Sequence, residues 1–97
     1  MGDRRFELRF PVSELVKVSW IDTRGAAHEC AGTLRDLSPS GASIQLERPL
    51  RLLSFVDITA RNKKLKARVR SCGRSRIGHN VGVEFDSESQ GILKALS

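Results

Sequence analysis

The chain contains no tyrosine, one methionine and one tryptophan, and its aromatics amount to only 5% of the residues. A core built from this sequence is therefore mostly aliphatic. Two cysteines, Cys30 and Cys72, are too few for a disulfide scaffold. No apolar run approaches the length of a membrane span, and the charged opening MGDRRFELRF lacks the apolar stretch of a secretory signal. Gly2 follows Met1, but Phe6 stands where N-myristoylation needs Ser or Thr. These absences give the expectation of a soluble cytoplasmic protein with no membrane insertion and with reduced thiols.

What is present fits one small domain of 97 residues with a single core. A hydrophobic fraction of 39% is low for a globular chain, yet too well patterned for disorder. Seventeen Lys and Arg against eleven Asp and Glu give a net charge of +6. Such a balance points toward an anionic partner: nucleic acid, nucleotide, phosphate or acidic membrane. Two Cys and two His occur as His28-Glu29-Cys30 and in a Cys72 to His79 segment. Their spacings are not those of zinc fingers or ribbons, so no metal is expected and strand or loop roles outweigh a zinc site.

Period-two alternation is the main structural signal. Val16, Val18 and Trp20 share one face, and a turn at Asp22–Gly25 leads into residues 27–35. Alternation resumes at Ala42, Ile44 and Leu46, at Val56, Ile58 and Ala60, at Leu65, Ala67 and Val69, and at Val81, Val83 and Phe85. Six short strands with turn chemistry between them argue for an all-β, six-stranded antiparallel barrel over residues 12–86. Residues 1–11 then form a flexible segment carrying arginines. Ser87-Glu88-Ser89-Gln90 has the form of a capping box opening a C-terminal helix over 87–97, with Ile92, Leu93 and Leu96 as its apolar stripe.

Two constellations carry chemistry. Arg5 and Arg9, four apart with Arg4 before them, fall on one side whether the segment is extended or helical. Extended, their Cα atoms lie roughly 13 Å apart at ~3.3 Å per residue. Forked guanidinium groups at that spacing suit separated phosphates and guanine edges. The bland alternative is a solvated basic tail. The second constellation is Asp36-Leu37-Ser38-Pro39-Ser40-Gly41, where Ser38, Pro39 and Gly41 have the form of a type I turn. Asp36 and Ser38 project the same way, and a carboxylate with a hydroxyl there can accept from guanine N1–H and its exocyclic amine. The bland alternative is a hairpin whose Asp and Ser serve only the turn.

Together, an RxxxR segment ahead of the first strand, DxSxxG about thirty residues later and a run of short strands resemble the PilZ domain family of bacterial cyclic di-GMP receptors. Asn80-Val81-Gly82-Val83-Glu84-Phe85 looks like that family's last strand, and the likeness covers nearly the whole chain. The resemblance implies a barrel with the ligand wrapped by the N-terminal arginine segment. It implies that Arg5 and Arg9 bind guanine and phosphate, that Asp36 and Ser38 hold a guanine edge, and that Gly41 permits the turn and a close backbone approach. Arg4 looks like the variant that stacks on a guanine, which implies two intercalated cyclic di-GMP molecules per domain.

Residues 61–76 hold eight basic side chains and no acidic one. Lys64, Lys66, Arg68 and Arg70 fall on one strand face, which reads first as a solvated, edge-protecting stripe. Arg74 and Arg76, expected in a loop, and His79 are further candidates for contact with an anion or base. The leading expectation is a non-enzymatic signalling receptor whose arginine segment orders on binding and faces a protein partner or fused domain. A nucleic-acid-binding barrel is the alternative; the strands lack the outward aromatics that base stacking needs. A PilZ-like adaptor that binds protein without ligand is the other. No nucleophile–base arrangement has a spacing suited to an enzyme.

Overall fold

The computed structural model describes residues 10–96, with side chains described for 11–92. Six strands run in chain order: β1 (Phe10–Ile21), β2 (Ala27–Leu37), β3 (Gly41–Leu46), β4 (Phe55–Ala60), β5 (Lys63–Ser75) and β6 (Gly78–Phe85). One helix, α1 (Ser87–Leu96), follows. The strands close into a barrel in the order β1-β2-β3-β6-β5-β4, antiparallel throughout. The six-stranded barrel with a C-terminal helix expected from alternation is thus what forms. β1 begins at Phe10, two residues ahead of the expected barrel boundary.

The alternating apolar residues fill the interior. Val18, Ile44, Leu46, Ile58, Val69 and Val81 are almost wholly buried, and Val16, Val56, Leu65, Ala67, Val83 and Phe85 pack around them. Branched aliphatic side chains suit the pleated inner wall of so narrow a barrel. Leu50, in the β3–β4 connection, also reaches the core.

Two expectations need correction. Arg74 lies within β5, opposite His79 of β6, and only Arg76 of that pair sits in the turn. β5 runs beyond its apolar stretch because backbone pairing with β6 continues past the last large core residue. The helix cap is Asp86, not Ser87. The Asp86 carboxylate accepts from the Ser89 amide at 2.7 Å, and the Asp86 carbonyl accepts from Gln90 N–H at 2.9 Å. Hydrogen bonding from Ser89, its amide first, holds the Asp86 carboxyl below its usual pKa. Ser89, buried, uses its hydroxyl to accept from the Lys66 amide and so ties α1 to β5.

Candidate functional site

The Asp36–Gly41 motif spans the end of β2, a two-residue turn and the start of β3. Ser38 and Gly41 exchange backbone hydrogen bonds across Pro39 and Ser40, at 2.9 and 3.4 Å. Ser40 does not adopt a positive φ, which excludes a type II turn. The Ser38 side chain is buried, and its hydroxyl lies 3.2 Å from both the amide and the carbonyl of Gly41. It therefore bridges the two ends of the turn. Gly41 has a steric duty: a Cβ there would stand 2.3 Å from the Val83 carbonyl oxygen of β6. The backbones meet where a side chain has no room.

Asp36 faces outward because of an irregularity. Leu34 pairs with Ile44, but Asp36 pairs with Ser43, so Arg35 is an extra residue that shifts the phase of the strand. A second bulge on β5 does the same: Val69 pairs with Val83 and Ser71 with Gly82, leaving Arg70 as the extra residue. The result is an outward row of cross-strand neighbours, Asp36, Ser43, Gly82 and Ser71, running over β2, β3, β6 and β5. This row floors a shallow cavity of about 280 Å³ that Arg70 and Asn80 also line. Its small side chains leave the backbone accessible to a flat ligand, and a Cβ at Gly82 would come within 2.5 Å of the Ser71 hydroxyl. Arg70 donates to the Glu84 carboxylate at 2.9 Å on one side of the cavity.

Of the residues expected to bind ligand, Asp36 is on this row, while Ser38 and Gly41 build the turn behind it. Arg4, Arg5 and Arg9 lie outside the described residues. Ser43, Ser71, Asn80 and Gly82 were not singled out as site residues from sequence, and Arg70 stood out only as part of the basic stripe on β5. Their signal is indirect: Leu34 and Leu37 are three apart, as are Val69 and Cys72, and two inward residues at odd spacing require a bulge between them.

The histidines and cysteines lie elsewhere. At the barrel end formed by the β1–β2 turn, the Trp20 and His28 rings stack with centroids 5.4 Å apart, under the Arg48 guanidinium. His28 Nε2 is 2.6 Å from the Asp22 carboxylate, and this bond lowers the Asp22 pKa. Cys30 and Cys72 are half-buried against the core, and burial pushes the Cys30 thiol upward. His79 is half-buried opposite Leu46 and Arg74, off the cavity. Among the described residues, no three His, Cys, Asp or Glu side chains converge as metal ligands would.

The sequence from residue 3 to residue 97 matches the model of a family described as the PilZ domain. The chain belongs to the PilZ domain family. Among solved structures, this PilZ domain is similar to YcgR from Escherichia coli in complex with c-di-GMP. That match has a TM-score of 0.65 at 15% identity, covering 96% of this chain and 46% of that one. The PilZ domain of CeSA from a cellulose-synthesizing bacterium matches with a TM-score of 0.63 at 22% identity, over 92% of this chain and 93% of that one. The K. pneumonia MrkH–c-di-GMP complex matches with a TM-score of 0.69 at 11% identity, over 99% and 52%. At these identities the likeness is one of fold. The PilZ domain spans about half the length of the YcgR and MrkH chains. No curated protein sequence matches the chain. No helix among its described residues is long and apolar enough to cross a membrane.

Proposed function

We propose that this PilZ domain is a non-enzymatic cytoplasmic receptor for cyclic di-GMP, seated on the outward row of Asp36, Ser43, Gly82 and Ser71. That row beside Arg70 is the observation that carries the reading. A guanine presents two donors on one edge, N1–H and its amine, and the Asp36 carboxylate is a two-oxygen acceptor for them. Small residues at 43, 71 and 82 let the flat base lie close to the sheet. Arg70 and the chain's Arg5 and Arg9 supply forked donors for phosphate oxygens and for guanine O6 and N7. Ser38 and Gly41 act by holding the turn that carries Asp36. Arg4 stacks on a second guanine, giving two ligand molecules per domain. Family membership and two fold neighbours that are c-di-GMP complexes support the ligand's identity. Binding orders the arginine segment and so changes the surface offered to a protein partner or fused domain.

Calorimetry with cyclic di-GMP tests this directly. Saturable binding near two equivalents is expected, abolished by Arg5→Ala or Arg9→Ala. Asp36→Ala and Arg70→Ala each remove a charge-assisted contact of about 1.5–3 kcal/mol, a loss of roughly ten- to hundredfold in affinity. No heat and no shift in melting temperature with folded protein would sink the reading. Saturation at one equivalent would remove the role given to Arg4.

A further inference from the structure

The β1–β2 hairpin outruns the strands on either side of it. Its own ladder continues to Ile21↔Ala27, whereas β3 leaves β2 at Gly32↔Leu46 and β4 leaves β1 at Ser19↔Asp57. Residues 20–31 therefore have no flanking strand among the described residues, and side chains must hold this end in place. Trp20 and Cys30 pack against the rim of the core. A further tether comes from Arg48 in the β3–β4 connection. Its guanidinium lies 5.3 Å from the centre of the Trp20 ring, and its Nη1 lies 3.3 Å from His28 Nδ1.

The donors and acceptors of this cluster define the form of His28. A guanidinium donates and never accepts, so the Arg48 contact requires a lone pair on Nδ1. The ring proton is then on Nε2, which donates to the Asp22 carboxylate at 2.6 Å. The second Asp22 oxygen accepts from the Arg24 and Ala26 amides at 2.8 and 2.9 Å. Neutral imidazole with its proton on Nε2 thus satisfies Arg48 and Asp22 together. A second proton, on Nδ1, sets donor against donor and cation against cation on the Arg48 side, while it strengthens the Asp22 side. Imidazole is the side chain that takes up such a proton between pH 5 and 8.

Other charges surround the cluster without bonding the ring. Arg24 stands in the turn, and Glu29 on β2 pairs with Lys17 of β1 at 3.6 Å. Glu47 precedes Arg48 in the connection. Asp57, Lys66, Arg68, Glu84 and Asp86 line the concavity of about 1080 Å³ that His28 also borders. Among the described residues, Asp22 and Arg48 alone hydrogen-bond or ion-pair with His28.

The geometry points to a proton-operated latch at this end of the barrel: neutral His28 clasps Arg48, and with it the β3–β4 connection, against the hairpin, whereas protonated His28 keeps Asp22 and releases Arg48. The stacked imidazolium lies against the same indole that Arg48 covers, so the repulsion also weakens the cation–π contact. What then holds the hairpin end is the packing of Trp20 and Cys30, and the connection carries a freed guanidinium. The latch sits at the opposite end of β2 from Asp36 and shares no residue with the smaller cavity, so it stands whether or not the nucleotide reading does.

Trp20 is the one tryptophan and the chain has no tyrosine, so indole emission reports on the latch. An imidazolium stacked on an indole quenches it more than a neutral imidazole does. Between pH 8 and 5, Asp22, held low by His28, and the Cys30 thiol, pushed up by burial, keep their charge states. Lowering the pH across that range should quench emission. NMR should place the neutral ring's proton on Nε2, and nuclear Overhauser contacts between Arg48 and Trp20 should fade in step with the quenching. His28→Gln should abolish both changes and His79→Gln neither. Arg48→Met, which keeps a packing side chain without the charge, should move the midpoint up by roughly half a pH unit. A cooperative melt at pH 8 checks that each variant is folded, and the tautomer and Overhauser measurements need no variant. The proposal is overturned by a neutral ring protonated on Nδ1, or by Arg48–Trp20 contacts that persist through the His28 titration. A pH response that survives His28→Gln, or an Arg48→Met midpoint that stays or falls, overturns it equally.

Discussion

Replacing Gly41 by alanine separates two roles that one glycine can have in this motif. The added Cβ would sit 2.3 Å from the Val83 carbonyl oxygen, and the obstacle is backbone, so no side chain can swing away. Reaching ordinary contact requires the start of β3 to move about 1 Å from β6. That displacement strains the reciprocal bonds between Ser38 and Gly41 and the bond from Phe85 N–H to the Ser40 carbonyl. Losing two such bonds at about 1 kcal/mol each, with residual overpacking of about 1 kcal/mol or more, gives roughly 3 kcal/mol. For a domain of this size that lowers the melting temperature by about 15 °C. Gly73→Ala is the control: nothing lies within 4 Å of its added Cβ, and the substitution should be neutral or slightly stabilising. Differential scanning fluorimetry, checked by urea titration, reads both. A Gly41→Ala protein melting within about 2 °C of the parent would refute the steric account. If it also lost cyclic di-GMP binding, the glycine would be serving the ligand and not the barrel.

Ser38→Ala removes a buried hydroxyl that bridges the turn, and should cost about 1–2 kcal/mol, lowering the melting temperature by roughly 5–10 °C; unchanged melting with lost nucleotide binding would return Ser38 to a direct ligand role. The Asp86 cap predicts an acid-sensitive helix. Its folded pKa is lowered below the ordinary 3.8, so its stabilisation is present above that value and is lost as pH falls through the folded pKa. Helical circular dichroism followed from about pH 5 to pH 2 should decline at the low end in the parent, whereas Asp86→Asn, which caps without a charge, should flatten that part of the curve. Superimposable profiles would show that the carboxylate's charge plays no part.

The elements of this fold were legible because most apolar residues alternate with polar ones over runs long enough to fix the inner face. Val16–Trp20, Ala42–Leu46 and Leu65–Val69 each declare their phase unaided. The candidate site was less legible, because its outward row depends on two places where the phase breaks. A strand read alone gives no reason to skip Arg35 or Arg70; the partners' pairing does, and that is a property of the closed sheet. Ser38 shows the same limit. Its motif position was readable, but whether its hydroxyl meets a ligand or the next turn of backbone depends on three-dimensional closure. The cap shifted from Ser87 to Asp86 because both are good capping residues, and the docking of Ser89 onto β5 decides between them.

The order of the strands has a consequence for how the molecule assembles. β1-β2-β3 and β4-β5-β6 are each three-stranded meanders joined by local turns, so each can form from neighbours in sequence. Among the described residues, two seams join the halves. One is the six-pair ladder from Gly41↔Glu84 to Leu46↔His79, and the other the three-pair ladder between Lys17–Ser19 and Asp57–Thr59. Each brings together residues about forty apart, so the rate of barrel closure rests on them. The cavity straddles the longer seam, with Asp36 and Ser43 from one half and Arg70, Ser71 and Gly82 from the other. A molecule lodged there cross-braces the halves, and its receptor face does not exist until they have met.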